Sequence, residues 1–347
     1  LAQTKDEKRR YWRTMIGAFA YASWTGRAMG RSKRRDEFLA EHGWKEASIV
    51  TLAADASFRR YYRLELSGQS AVLMDAPPAH EDIRPFVAVA QYLLKLNLSA
   101  PRILGQDTSS GFLLIEDLGD GKFNSLLETT DKPDLLYQRA VDVLCVLHKA
   151  EPPAWLSPYN HELLLAEVDL LIDWYWPSIT GTTIDSSTRT AYRNAWIEVF
   201  SAVEFGPPVT VLRDYHSDNL MWLPNRNGVA AVGLLDFQDA LTGSPAYDLV
   251  SLLEDARRDV SGTLVENMIQ RYVSATGIPW SSIGRAYSVL GAQRNSKIIG
   301  IFTRLWRRDE KAAYLTLIPR VWRLLENNLT DPLLAPVRLW FDQHLPK

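Results

Sequence analysis

The spacing of apolar residues changes once along this chain, near Gly119, and that change constrains the fold more than any other feature. Before it, Ser48–Leu52, Tyr61–Leu66, Ala71–Met74, Arg102–Leu104 and Phe112–Glu116 are short β-compatible runs. Ser67-Gly68-Gln69 between the second and third is a tight-turn signal. One helix interrupts the runs: Phe86, Val87, Ala90, Leu93 and Leu94 recur at helical spacing within Ile83–Leu96, behind Pro85 in the first turn. The first three runs predict a meander, and with the last two and one helix packed on the sheet they predict a five-strand, one-helix lobe. After Gly119 helices dominate: one ending near His148, then Glu162–Tyr175, Ser187–Val203 and most of Tyr247–Leu345. Only Val209–Leu212 and Val229–Leu235 look extended there. A small β lobe followed by a large helical lobe is an α+β arrangement, and its natural ligand site is the cleft between lobes.

The chain has 347 residues, 46% of them apolar, which is enough for a sizeable core in two lobes. Lys and Arg number 39 against 41 Asp and Glu, so the overall balance of −2 provides no drive toward nucleic acid or an anionic membrane. No run of 18 apolar residues is present, so no spanning helix is expected. A single cysteine, Cys145, excludes an internal disulfide framework and a Cys-rich zinc site. It lies in an apolar helical stretch and reads as core, and the usage fits a reducing, cytoplasmic setting. Charge is nevertheless segregated, because residues 1–35 carry ten Lys/Arg and only two acids, Asp6 and Glu7. Lys5–Arg13 followed by MIGAFAYASW resembles a secretory signal only faintly, since Gly17 interrupts the apolar part and basic residues resume at Arg27. The favoured expectation for 1–35 is a basic extension outside the core.

The chemistry concentrates in Leu212-Arg213-Asp214-Tyr215-His216-Ser217-Asp218-Asn219 and Leu234-Leu235-Asp236-Phe237-Gln238-Asp239. An Asp, an Asn five residues later and an Asp at a strand end 17 beyond is a layout suited to phosphoryl transfer. Asp214 would accept the hydroxyl proton or orient the nucleophile, while Asn219 and Asp236 would hold Mg²⁺ against nucleotide phosphates. Magnesium suits such a set, since it accepts one or two protein oxygens and keeps water and phosphate for the rest. Each residue taken singly is an ordinary turn former; the joint spacing with apolar strand flanks argues for function.

These residues resemble the aminoglycoside phosphotransferase superfamily, whose catalytic loop reads H-G-D-x-H-x-x-N and whose metal loop precedes P-x-Y-D-L, present as Pro245-Ala246-Tyr247-Asp248-Leu249. Asp55–Arg63, Leu73–Pro78, Glu116–Gly119, Asp255–Val260 and Gln293–Lys297 are similar to the bacterial anomeric kinases of N-acetylmuramate and N-acetylglucosamine, which serve peptidoglycan recycling. The resemblance runs from about Asp36 to the C-terminus. It implies a protein-kinase-like two-lobed fold, with residues 36–117 taking the nucleotide and 118–347 carrying the catalytic loop, metal and sugar. It implies ATP and Mg²⁺ as cofactors, a small amino sugar as partner, and no obligatory protein partner. Asp214 would be the catalytic residue and His216 a loop brace; Asn219 and Asp236 would be metal ligands. Glu116 and Leu118 would present backbone to adenine, and Asp248 would fix the catalytic loop. Asp239 stays open between an acidic contact and a solvated loop residue.

Two departures matter. Leu212-Arg213 replaces His-Gly before the catalytic Asp, and Met74 stands where the third strand of such kinases carries a phosphate-binding lysine. Phosphate still requires positive charge, and Arg59 or Arg60 is the expected substitute, with Arg63 the third cation in that stretch. Sugar contacts are expected among Asp255, Arg258, Arg294, Asn295 and Lys297, since hydroxyls call for carboxylate and amide groups and a lactyl carboxylate for a cation. Trp174 and Trp176 could stack on a sugar ring, although a chain with 12 Trp spends most of them in its core. Competing readings are an aminoglycoside or choline-type kinase, disfavoured by the cations in the candidate segments. A nucleotide-dependent interaction module is a further alternative, raised by Met74 and opposed by the intact Asp214, Asn219 and Asp236.

Overall fold

The computed structural model describes residues 30–52 and 58–345, so residues 1–29 and the Asp55–Ser57 part of the resemblance lie outside the described residues. Two compact units emerge, one ending at Arg84 and resuming over Ile103–Asp117, the other formed by Pro85–Arg102 and the chain from Leu118.

In the first unit, β1 (Ser48–Thr51), β2 (Arg60–Leu66), β3 (Gln69–Asp75), β4 (Ile103–Asp107) and β5 (Phe112–Glu116) form an antiparallel sheet of order β1-β2-β3-β5-β4. Ser67 and Gly68 take positive φ of 50° and 78°, the left-handed pair that closes a two-residue hairpin with the twist of its strands. Alternation then sorts the strands into faces. Leu64, Ala71, Leu73, Phe112 and Leu114 form one face and bury Phe38 and Leu39 of a helix, α1, spanning residues 30–41. Removing each of these large apolar side chains from water contributes about 1.5–3 kcal/mol. The described part of the basic N-terminal segment belongs to this helix. Arg31 pairs with Asp75, donates to the Ser110 carbonyl at 2.9 Å and lies 4.5 Å over the Phe112 ring. Strand β4 continues to Asp107, past the expected turn at Gly105, because pairing of Gly105, Gln106 and Asp107 with β5 outweighs their weak strand preference.

In the second unit, α2 (Arg84–Lys95) sets Phe86 against Phe237, ring centroids 4.9 Å apart, and Tyr92 hydroxyl 3.2 Å from Thr210 Oγ1. Its residues from Pro85 thus belong with the helical unit. The helices are α3 (Phe123–Thr129), α4 (Pro133–Lys149), α5 (His161–Leu170), α6 (Trp176–Thr180), α7 (Ser186–Ala202), α8 (Ala246–Leu253), α9 (Gly262–Thr276), α10 (Trp280–Asp309), α11 (Ile318–Asn328) and α12 (Ala335–His344). The stretch expected as one helix, Glu162–Tyr175, changes to a π turn over Leu171–Tyr175 before α6. Pro177 has no N–H to continue the α ladder, and a wider turn accommodates the loss. Short strands pair two by two: β6 (Val209–Val211) with β9 (Leu241–Gly243), and β7 (Leu220–Trp222) with β8 (Val232–Leu234). β7 and β9 escape the sequence reading because three residues show no period. Cys145 is buried and unbridged, as expected of a core residue.

Helix α10 runs through this unit for 30 residues. Gly300 lets it approach the end of α5: a Cβ there would stand 2.3 Å from the Leu170 carbonyl carbon. At its middle a buried polar knot joins three helices. Asn295 Nδ2 donates to Glu254 Oε2 at 2.9 Å, and Asn328 Nδ2 to Glu254 Oε1 at 3.0 Å. Burial pushes the Glu254 carboxyl up to about 7, against the pull of these two amides.

Gly300→Ala should lower unfolding free energy by more than about 1 kcal/mol, since the new methyl meets backbone that cannot swing aside. An unchanged urea midpoint would contradict the close approach. Glu254 makes a pH-dependent contribution of known sign. Between its ordinary 4.5 and about 7 the folded carboxyl keeps a proton that the unfolded chain has released, so its contribution to stability falls as pH rises through that window. Melting temperatures recorded from pH 4.5 to 7.5 should decline less steeply in Glu254→Gln than in the parent; parallel curves would exclude this assignment.

Candidate active site

The loop after β6 carries Asp214, a short 3₁₀ turn over Ser217–Asn219 leads into β7, and β8 runs into Asp236. Leu220 pairs with Leu234, and Leu235 N donates to the Asn219 carbonyl at 2.9 Å. The β7–β8 ladder therefore sets Asn219 and Asp236 at neighbouring strand ends. Asn219 Nδ2 donates to the Asp214 carbonyl at 3.0 Å, tying the second element of the motif to the first.

The backbone before Asp214 is held from α8. Asp248, fully buried, accepts the Leu212 N–H at 2.7 Å and the Arg213 N–H at 2.9 Å. Arg213 takes φ of 71°, in the left-handed region where the resembling family has glycine. An L-residue pays roughly 1–2 kcal/mol for that conformation. Its side chain supplies a tether that glycine lacks: the guanidinium pairs with Glu167, lies 5.5 Å from the Tyr159 ring and reaches the Asp239 carbonyl at 3.4 Å. Asp236 also takes a positive φ, 56°, where β8 turns out of its ladder.

Electrostatics favour an ionised Asp214. Burial raises its pKa, but Lys297, Arg294 and Arg213 among the surrounding charges outweigh that, and the net shift is downward. Its carboxylate accepts no hydrogen bond among the described residues, so both oxygens remain available to a substrate proton. His216 is buried with its Nδ1 unpartnered, and burial together with Arg257 brings it down to about 4. It is therefore neutral at pH 7 and packs as a brace, with Nε2 3.5 Å from Asn219 Nδ2. Burial pushes Asp248 up to about 7 in spite of the two N–H groups it accepts.

Three of the five expected sugar contacts are engaged by protein partners. Asp255 accepts the Ser217 N–H at 3.2 Å, the Ser217 hydroxyl, and the Arg257 N–H at 2.9 Å. Asn295 bonds Glu254 and Asn328. Lys297 Nζ is 2.9 Å from Glu167 Oε1. Arg258 is half-buried and touches the Asn124 carbonyl at 3.4 Å. Arg294 is 4% exposed and belongs to no ion pair or hydrogen bond among the described residues. Trp176, half-buried, packs its ring 5.9 Å from Trp340.

Sequence reasoning missed Glu167, which takes Arg213, Lys297, the Tyr159 hydroxyl and Gln293 Nε2 at 2.9 Å. Its pKa is lowered, since Lys297 and Arg213 overcome the effect of burial. The available signal was an acid inside the apolar run LLLAEVDLL.

In the sheet unit, Met74 is 1% exposed on β3 and packs. Arg60 shares the side of β2 that carries Tyr62 and Leu64, beneath α1; Arg63 shares the opposite side with Tyr61. Arg63 pairs with Asp117 at 2.8 Å and Arg59 with Glu81 at 3.3 Å. Glu116 closes β5, while Leu118, the first residue of the second unit, lies close to Gly233.

The donor set fits magnesium. Among the described residues no group of three or more His, Cys, Asp or Glu could hold a metal. Asn219 spends its Nδ2 on the Asp214 carbonyl, leaving Oδ1 as an acceptor, while Asp236 Oδ1 accepts Gln238 Nε2 at 2.9 Å. One amide and one carboxylate oxygen are what Mg²⁺ takes when phosphates supply the rest. A separate cavity of about 550 Å³, lined by Tyr159, His161, Phe205, Pro208 and Tyr247 among others, includes none of the expected site residues.

Comparison with known proteins bears on the fold and the family. The N-acetylmuramate/N-acetylglucosamine kinase of Caulobacter vibrioides is 34% identical, over 91% of this chain and 97% of its own length. The protein of the same description from Pseudomonas aeruginosa is 39% identical, over 83% and 86%. Among solved structures, a choline kinase from Streptococcus pneumoniae superimposes with a TM-score of 0.62 at 12% identity, covering 85% of this chain and 99% of that one, which supports the kinase-like α+β fold. The sequence profile of the phosphotransferase enzyme family matches residues 48–282. With that match spanning most of the chain, this chain belongs to the phosphotransferase enzyme family.

Proposed function

We propose that this phosphotransferase is a cytoplasmic kinase that moves the γ-phosphoryl group of ATP to the anomeric hydroxyl of N-acetylmuramate, N-acetylglucosamine or both. The product would be a sugar 1-phosphate returned to cell-wall synthesis. The carrying observation is identity of 34% and 39% to two amino-sugar kinases over most of the chain, combined with an intact Asp214–Asn219–Asp236 arrangement. Asp214 takes the proton of the sugar hydroxyl as its oxygen bonds to the γ-phosphorus and the bond to ADP breaks. The ionised state of Asp214, favoured by Lys297 and Arg294, is the one that can accept a proton. Asn219 and Asp236 would hold Mg²⁺, which neutralises phosphate charge. His216 braces the loop without carrying charge. Arg59 stands in for the missing lysine toward the phosphates, and the chain around Glu116 and Leu118 presents backbone groups to adenine. Arg258 and Arg294 are the cations of the sugar side, which opposes a polycationic aminoglycoside or a choline-type substrate.

The test is incubation with ATP and Mg²⁺ and each candidate sugar, choline or aminoglycoside, with phosphorus NMR to identify the product. A phosphate on any position other than the anomeric oxygen would overturn the reaction. Asp214→Asn should keep nucleotide affinity and lose turnover by about 10²–10⁴-fold. Turnover near the parent value would remove Asp214 from its role. Asp236→Ala should fold normally and lose Mg²⁺-dependent ATP binding, measured by calorimetry with and without the metal; a collapsed melting transition would instead mark a structural residue.

A further inference from the structure

The middle of α10 places five consecutive polar residues, Gln293, Arg294, Asn295, Ser296 and Lys297, in the protein interior. A helix buried all round is ordinarily apolar, so each of these groups requires a partner. Three have one. Gln293 and Lys297, four residues apart on one face, meet at Glu167, and Asn295 turns the other way to Glu254 and Asn328. Arg294 differs. Its side chain carries a permanent charge, it is 4% exposed, and Nη1 is sealed from solvent with no acceptor. Leaving a buried guanidinium unmatched costs several kcal/mol, an expense a fold does not carry without return.

The acids near Arg294 do not take its hydrogen bonds. Glu254 has both oxygens occupied by the amides of Asn295 and Asn328. Asp248 spends its carboxylate on the Leu212 and Arg213 N–H groups. Asp214 feels the charge of Arg294 yet makes no hydrogen bond to it. Lys297, one turn along α10 and also electrostatically felt by Asp214, is neutralised by Glu167. Arg294 is thus the cation of this cluster whose donors are unspent, and it lies within electrostatic reach of the residue that takes the substrate proton.

We propose that Arg294 is an oxyanion receptor of the active site, its guanidinium receiving either the lactyl carboxylate of N-acetylmuramate or the phosphoryl group in transit. This rests on the sugar-kinase reading above and deepens it, because a carboxylate receptor would make Arg294 the residue that distinguishes the two amino sugars. The planar fork of arginine suits either anion, in a way that lysine or an amide would not reproduce.

Arg294→Gln and Arg294→Lys, assayed on both sugars with ATP and Mg²⁺, separate the sources. If the anion is the sugar carboxylate, the ratio of KM for N-acetylmuramate to KM for N-acetylglucosamine rises by roughly 10- to 100-fold in Arg294→Gln. If it is the phosphoryl group, kcat falls by a similar factor on both sugars with each KM retained, and lysine restores part of it. A loss of melting temperature with neither ratio nor kcat altered would overturn the proposal and leave Arg294 a structural cation. Should both variants fail to fold, the parent enzyme decides. KM that rises for the methyl ester of N-acetylmuramate, or stabilisation of the sugar-free protein by inorganic phosphate, supports the receptor; the absence of both overturns it. If the parent phosphorylates neither sugar, the functional reading fails separately. Arg294 is then judged by whether inorganic phosphate raises the melting temperature of the parent more than that of a folded variant, an equal response counting against it.

Discussion

Asp248 holds the stretch on which the chemistry depends. Its single buried carboxylate accepts two successive backbone N–H groups, from Leu212 and Arg213, and so sets the direction in which the chain enters Asp214. Two N–H donors at the mouth of a short strand would otherwise be orphaned, and each orphan costs about 1–3 kcal/mol. This clamp also explains how a left-handed arginine survives. The strain at Arg213 is small beside the loss of both clamp bonds, and the Glu167 ion pair prevents the side chain from pulling the loop elsewhere. Where a glycine provides freedom, this chain has a fixed point.

The buried charges behind the loop are balanced in a particular way. Glu167 gathers Arg213 and Lys297, Asp255 fastens Ser217, and Glu254 is bound by two amides. Buried ion pairs gain little net stability, since desolvation offsets most of the attraction. Their return is geometric. Glu167 joins Arg213 to α5 and, through Lys297, to α10, while Asp248 on α8 and Asp255 just beyond it hold Leu212, Arg213 and Ser217, so the loop around Asp214 is held from several helices rather than by itself. The positive charge of Lys297, Arg294 and Arg213 around Asp214 keeps it ionised in a site that burial alone would protonate.

Several residues expected at the sugar have protein partners in this structure. Asp255, Asn295 and Lys297 lie in segments shared with sugar kinases and have side chains suited to hydroxyls, yet their polar atoms are directed at protein. A carboxylate that recognises sugar and one that braces a loop look alike in a sequence. Whether the partner is a ligand or a neighbouring helix depends on what folds beside it, and those neighbours, Ser217, Glu254 and Glu167, are distant in the chain.

What the sequence determined by itself is whatever local periodicity and spacing encode. The five strands, the Ser67-Gly68 turn, the switch to helices after Gly119 and the Asp214–Asn219–Asp236 motif were all legible, because each is written within a few residues or in a fixed offset, whereas the order β1-β2-β3-β5-β4 was not. The three-residue strands β7 and β9 were not legible, since three residues carry no period and become strands only through pairing with β8 and β6. The extension of β4 to Asp107 and the break of one expected helix into α5, a π turn and α6 likewise followed from cross-strand pairing and from Pro177. Tertiary structure alone decided the charge balance. Glu167 lies 130 residues before Lys297, and no local rule could pair them or reveal that Arg294, unlike Lys297, has no hydrogen-bond partner among the described residues. Coulomb attraction and desolvation act through space, and it is the packing of helices that fixes which charges share it.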